Sequence, residues 1–179
     1  MDLLISVSAL LDETMVHLNE VINIRTNISL VTESLNLREC IENVMKVFSK
    51  QILSKEVTIA NLIPKDLMIN YNFAYLESIL YNLISNAIRF SHPDREPIIE
   101  LEWIIKKNKS ILKISDNGIG IDLEKYGNKI FGLYKTFTND KASKGIGLFI
   151  TKNQIEAIGG TITVESEPGQ GTTFKIEIL

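Results

Sequence analysis

Tyr81-Asn82-Leu83-Ile84-Ser85-Asn86-Ala87-Ile88-Arg89-Phe90 is the stretch on which the fold turns. Asn82, Asn86 and Arg89 recur at i, i+4 and i+7 and so share one face of a helix. Leu76, Ile79, Leu80, Leu83, Ile84, Ala87 and Ile88 form an apolar stripe beside them. Asn72 is placed to cap this helix, because its side-chain oxygen can accept from an early helical N–H. A core helix has no need of a row of carboxamides ending in a cation. Amide oxygens can ligate Mg²⁺ and an arginine can pair with phosphate oxygens, so the face suits a metal-bound polyphosphate. The plain alternative is a solvated helix face.

The chain has 179 residues, of which 45% are hydrophobic, enough to bury a core in one domain plus an extension. The net charge of −3 offers no basic footprint for nucleic acid. Cys40, the single cysteine, falls in the apolar rhythm of Leu37, Ile41 and Val44 and reads as a core thiol, compatible with a cytoplasmic location. No apolar run is long enough to cross a bilayer.

Residues 3–24 read as a helix with an a/d seam of Leu4, Val7, Leu11, Thr14, Leu18 and Val21. Its apolar face calls for a partner helix, either from a second copy or from a segment outside this sequence. His17 lies on it with no accompanying motif and reads as a surface residue. Further on, the patterns predict a short strand at 28–32, a helix over 37–54, and strands at 57–61 and 67–71 around Pro64-Lys65-Asp66. The Asn/Arg helix follows over 72–90 and ends at Pro93, with His92 read as a loop residue. A hairpin is expected from 98–106 and 110–116, then a helix over 145–158 stopped by Gly159-Gly160, and a closing hairpin of 161–165 with 172–179. Residues between Asp116 and Gly145 lack periodicity and read as a functional lid. The short connections favour antiparallel pairing, giving an α+β fold: a mixed, mostly antiparallel sheet with helices on one face.

Two glycine motifs carry chemistry. Asp116-Asn117-Gly118-Ile119-Gly120 follows a strand. An ionised carboxylate there can accept from an amino group such as adenine N6, and the glycines let backbone approach a flat ligand. A tight turn or a calcium loop is the alternative, though the acidic spacing of an EF-hand is missing. Lys144-Gly145-Ile146-Gly147-Leu148 opens a helix whose N–H groups can face an anion. It is neither a Walker loop nor a dinucleotide fingerprint.

In order along one domain stand Asn-X₃-Asn-Ala-X-Arg, Asp-X-Gly-X-Gly, a lid with Ile130-Phe131-Gly132-Leu133-Tyr134, Gly-X-Gly-Leu, and Gly169-X-Gly171-Thr172. This series resembles the catalytic ATP-binding domain of sensor histidine kinases, in the Bergerat-fold ATPase superfamily. The resemblance spans residues 28–179. It implies a two-layer α/β sandwich, a sheet backed by three helices, with ATP and Mg²⁺ as cofactors under a mobile lid. It also implies that Asn86 ligates Mg²⁺, that Asn82 lies near metal and phosphates, and that Arg89 contacts phosphate. Asp116 would read the adenine amino group beside Gly118 and Gly120. Lys144, Gly145, Ile146, Gly147 and Leu148 would line the phosphates, with Thr172 near the base and Phe131 anchoring the lid.

The pattern departs from the family at Ser143, where a glycine is usual, and at Gly132, where an acidic residue is common. No lid arginine is evident, which leaves Lys135, Lys141 or Lys144 to substitute. Residues 1–25 resemble the second helix of the dimerisation and phosphotransfer hairpin. The acceptor histidine is then expected on a first helix outside this sequence, since His17 lacks the acidic neighbour. The resemblance also implies a response-regulator receiver domain as partner of the full-length protein, and a possible homodimer through residues 1–25. The competing functions are an anti-sigma-factor-type protein-serine kinase and a non-catalytic ATP-binding regulatory module.

Overall fold

The computed structural model describes residues 31–134 and 145–179. The helix expected over 3–24, the first part of the 28–32 strand, and Lys135, Lys141, Ser143 and Lys144 lie outside the described residues.

A short strand, β1 (Glu33–Asn36), leads into α1 (Leu37–Val47). Asn36 accepts from the Glu39 amide at 3.1 Å and caps the helix. Of the strand expected over 28–32, only Val31 and Thr32 are described, and neither is in a strand. The partner of β1 is β3 (Met68–Tyr71), and the antiparallel register joins Glu33 to Tyr71, the last residue of β3. Asn72 then turns the chain into a helix. The single helix expected over 37–54 is divided at Phe48, and α2 (Ser49–Ser54) follows. Phe48 tightens the turn with an i−3 bond to the Met45 carbonyl at 3.1 Å, is buried, and lies 4.8 Å from the Tyr81 ring.

The strands on either side of Pro64-Lys65-Asp66 form, but they enter different sheets. β2 (Thr58–Asn61) pairs in parallel with β4 (Ile98–Lys106), whereas β3 joins β1. The connection between them anchors α1: Arg38 Nη1 donates to the Ile63 and Asn61 carbonyls at 2.6 and 3.3 Å. The parallel pair needs a crossover, and α3 (Phe73–Arg89) supplies it. β5 (Lys109–Asp116) returns beside β4 through Lys107 and Asn108, both with positive φ, as a tight hairpin turn demands.

After β5 comes a one-turn helix, α4 (Leu123–Tyr126), which the sequence pattern did not predict. Asp122 caps it by accepting from Lys125 N at 3.0 Å. α5 (Gly147–Ala157) starts two residues later than expected, because Gly145 has φ +68°. It ends as a Schellman motif, with Gly159 N bonded to Glu156 O and Gly160 N to Ile155 O, each at 3.0 Å. β6 (Thr161–Glu167) and β7 (Gly171–Ile178) close the chain.

The main sheet has the order β2-β4-β5-β7-β6, with β2–β4 parallel and the other pairs antiparallel. The expected α+β class and mixed, mostly antiparallel sheet are therefore present. Leu76, Ile79, Leu80, Leu83, Ile84 and Ile88 of α3 share one core with Leu37 and Ile41 of α1, Ile155 of α5 and the inward residues of the sheet. Among the described residues no helix is long and apolar enough to cross a membrane.

Leu80 is fully buried at the centre of this core. Leu80→Ala is expected to lower unfolding free energy by about 2–5 kcal/mol, read from the urea midpoint at constant slope.

Candidate functional site

The base of the site is built where β5 ends. Asp116 pairs with Thr172 across β5–β7. Its Oδ1 accepts from Gly118 N at 2.8 Å and from Thr172 N at 3.2 Å. Those bonds leave Oδ2 with no protein donor among the described residues. Burial pushes the carboxyl pKa up from its usual value, and the two backbone donors pull it back. Thr172 is itself buried. Ser166 Oγ donates to the Gly171 carbonyl at 2.7 Å, so the Thr172 hydroxyl donates to Ser166 Oγ at 3.1 Å.

The glycines of this loop are there for close approach. A Cβ on Gly120 would lie 2.0 Å from the Glu167 carbonyl oxygen, and φ there is +68°. One on Gly171, at φ +104°, would lie 2.0 Å from the Asp116 carbonyl oxygen. Gly118 sits against the Phe90 carbonyl at the end of α3. Backbone bonds then fasten the loop on both sides. Ile119 N donates to Phe90 O at 3.0 Å, Gly169 N to Ile119 O at 2.7 Å, and Ile121 N to Ser166 Oγ at 2.8 Å.

The second wall is α3, with Asn82, Asn86 and Arg89 all half-buried along one line. Asn82 Nδ2 reaches Thr151 Oγ1 at 3.5 Å, and a Cβ on Gly147 would lie 3.1 Å from Asn82 Oδ1. The start of α5 therefore packs directly on the amide row. Arg89 lies 5.4 Å from the centre of the Phe90 ring. Lys55 Nζ donates to the Ile88 carbonyl at 2.7 Å, placing a cation at the C-terminal end of α3 where free carbonyls accumulate.

The lid side rests on a small cluster of Ile146 and Ile150, packed by Tyr75, Leu133 and Phe149. Phe131 packs against the main core and has Lys152 Nζ 5.7 Å from its ring centre.

The structure thus gathers Asp116, Gly118, Gly120 and Thr172 in one corner, and brings Gly147 onto Asn82. Gly145, in a left-handed conformation, and Ile146 lead into α5, and Leu148 packs into the main core. Lys144 lies outside the described residues. Sequence reasoning missed three supports. Ser166 receives the loop. Asn117 bonds the Ile98 amide and the Glu96 carbonyl at 2.8 and 2.9 Å. Arg95 donates to the Gly118 carbonyl at 3.4 Å and to the Gly169 carbonyl. Asn117 stood inside a recognised motif as a variable position, and Arg95 and Ser166 carried no local signal, since their partners are distant in sequence.

Comparison with known proteins gives the family. A family model described as Histidine kinase-, DNA gyrase B-, and HSP90-like ATPase matches residues 72–179. The Autoinducer 2 sensor kinase/phosphatase LuxQ of Vibrio vulnificus is 37% identical over 130 residues, 67% of this chain and 15% of that protein. Sensor protein SrrB of Staphylococcus aureus is 37% identical over 112 residues, 61% of this chain and 19% of that one. The chain therefore spans a small part of the length of these relatives. Among solved structures, a nucleotide-free catalytic domain of histidine kinase ThkA superposes with a TM-score of 0.69 at 25% identity, covering 82% of this chain and 94% of that one. With more than half of its residues under the family model, the chain belongs to the Histidine kinase-, DNA gyrase B-, and HSP90-like ATPase family and is homologous to the catalytic domains of sensor histidine kinases.

Proposed function

We propose that this chain binds ATP with Mg²⁺ between α3, the 117–121 loop and the start of α5, and delivers the γ-phosphoryl group to a histidine on another helix of a full-length sensor kinase. The observation that carries this reading is the Asp116 carboxylate. One oxygen is saturated by backbone donors and the other is left as an acceptor in a corner walled by glycines. That is the arrangement a purine amino group requires. The Gly118–Gly120 backbone would lie against the base, with Thr172 beside it.

The donor set also fits the rest of the ligand. Asn86 would offer an amide oxygen to the metal, and Asn82 would lie near the same phosphates. Arg89 brings a positive charge, Gly145 to Leu148 bring backbone N–H groups at the head of α5, and Lys144 is the lid cation nearest them in sequence. Mg²⁺, when bound, neutralises charge on the phosphate oxygens. The protein's own part is positioning, together with exclusion of water by the lid. Asn82 stands where the hydrolytic relatives carry a glutamate, and an amide is a poor proton acceptor, so attack by water lacks a base. The favoured outcome is transfer to an imidazole: the bond to the ADP oxygen breaks, a P–N bond forms, and the imidazole releases its proton. In the full-length protein a response-regulator receiver domain is the next acceptor, and pairing of residues 1–25 between copies is the proposed route to a homodimer. The relatives, a sensor kinase/phosphatase and a sensor protein, support this setting, and a cytoplasmic location is part of the same proposal.

Calorimetric titration with a non-hydrolysable ATP analogue tests the site. Saturable binding is expected. Asp116→Ala should abolish it, and Asn86→Ala should remove its dependence on Mg²⁺. Absence of binding by the folded wild-type chain would refute the proposal. Supplying the histidine-bearing helix should give an acid-labile phosphoryl group on that helix. An acid-stable one would point to a serine acceptor.

The buried carboxylate also links function to stability. Because the folded-state pKa of Asp116 is raised, the fold holds its proton more tightly than the unfolded chain does. This site therefore loses stability as pH rises from the unfolded pKa through the folded one. Asp116→Asn keeps an oxygen for both backbone donors and carries no charge. It is expected to match or exceed the wild-type melting temperature at pH 7 while binding no ATP. A melting temperature well below wild type would refute the desolvation account.

A further inference from the structure

Arg95 lies in the segment between α3 and β4, outside the Asn/Arg helix and the glycine boxes. Its guanidinium reaches the carbonyls of Gly118 and Gly169, which belong to opposite walls of the base corner. Gly118 is in the loop that follows Asp116, and Gly169 is in the turn joining β6 to β7. Arg95 Nε is buried with no hydrogen-bond partner. The side chain is therefore held for the two contacts its Nη2 makes, even though one of its donors goes unmet.

These two carbonyls bear directly on the recognition oxygen. The Gly118 amide donates to Asp116 Oδ1, and the Gly118 carbonyl accepts from Arg95. The two peptides that flank Gly118 are thus fixed, one by the carboxylate and one by the arginine. Glycine has the widest conformational freedom of any residue, so this peptide pair needs outside restraint to keep a single orientation. On the other wall, the Gly169 amide donates to Ile119 O at 2.7 Å while its carbonyl accepts from Arg95. Arg95 thus closes a ring from Gly118 through Ile119 to Gly169. A guanidinium can do this because its donors diverge from a rigid plane. An ammonium is a point donor on a flexible stem.

We infer that Arg95 is a positioning residue for base recognition: by tying Gly118 to Gly169 it fixes the direction of the Asp116 carboxylate and so sets the preference for a purine bearing a 6-amino group. This inference rests on the proposed nucleotide site. It requires Arg95 to act through Asp116 alone, with no contact to the ligand.

The test compares ATP with purine riboside triphosphate, which lacks only the 6-amino group, by calorimetry on wild type, Arg95→Ala and Arg95→Lys. Wild type should prefer ATP. Both variants should lose roughly tenfold in ATP affinity, the scale of one hydrogen bond to a charged group, and should keep their affinity for the deaminated analogue to within about twofold. Should Arg95→Ala fail to fold, Arg95→Lys carries the same comparison, since it retains the cation and most of the stem. Equal losses for both nucleotides would make Arg95 a general brace and overturn the inference, as would no loss for either. If wild type binds neither nucleotide, the nucleotide reading fails and takes this inference with it. If wild type binds both equally, the nucleotide site stands and base selection by Asp116 and Arg95 does not.

Discussion

Everything at the site depends on how firmly α3 is held. Its apolar stripe is buried to within a few per cent from Leu76 to Ile88. Interiors this dense leave a helix little freedom to roll. The opposite consequence follows on the other face. Once the stripe is seated on the sheet, Asn82, Asn86 and Arg89 have nowhere else to point, and their spacing is that of a rigid rod. The helix is also tied at its end, where Lys55 holds the Ile88 carbonyl and the 117–121 loop holds that of Phe90.

The glycine corner solves a different problem. Glycines are needed because side chains would collide with the backbone of the β6–β7 turn and of β5. The same glycines leave the loop free to adopt many conformations. Backbone bonds to the β6–β7 turn and to Phe90, and side-chain bonds from Asn117 and Arg95, supply the restraint that the sequence of the loop cannot supply itself. A carboxylate held by two amides and partly removed from water is then a stiff acceptor, with one oxygen left over.

How legible this was in the sequence follows the range of each interaction. The cap at Asn72, the stripe on α3 and the stop at Gly159-Gly160 depend on neighbours within a turn or two, and each lies where the pattern placed it. The break at Phe48 left no mark in the apolar pattern; the buried Phe48 ring meets Tyr81, far away in the chain. The two strands beside Pro64 were visible, but their assignment to different sheets was not. A strand pattern records burial and carries no label for its partner. The site divides in the same way. Asp116 and the glycines announce themselves by spacing, whereas Arg95 and Ser166 act only through residues that folding brings near.

On the proposed reading, the two halves of the site are prepared to different degrees. The base corner is closed by hydrogen bonds within the protein, which hold the Asp116 acceptor in place. The phosphate half is assembled across a packing contact: Gly147 of α5 against Asn82 of α3, with a separate cluster of Ile146, Ile150, Tyr75, Leu133 and Phe149 beside it. That cluster is smaller than the main core, and Tyr75 packs against both. A nucleotide would then be recognised by its base, on a rigid surface. Its phosphates would meet the seam between Gly147 and Asn82. Such an arrangement suits transfer to a separate nucleophile, because the reactive end of the ligand stays approachable while the other end is held.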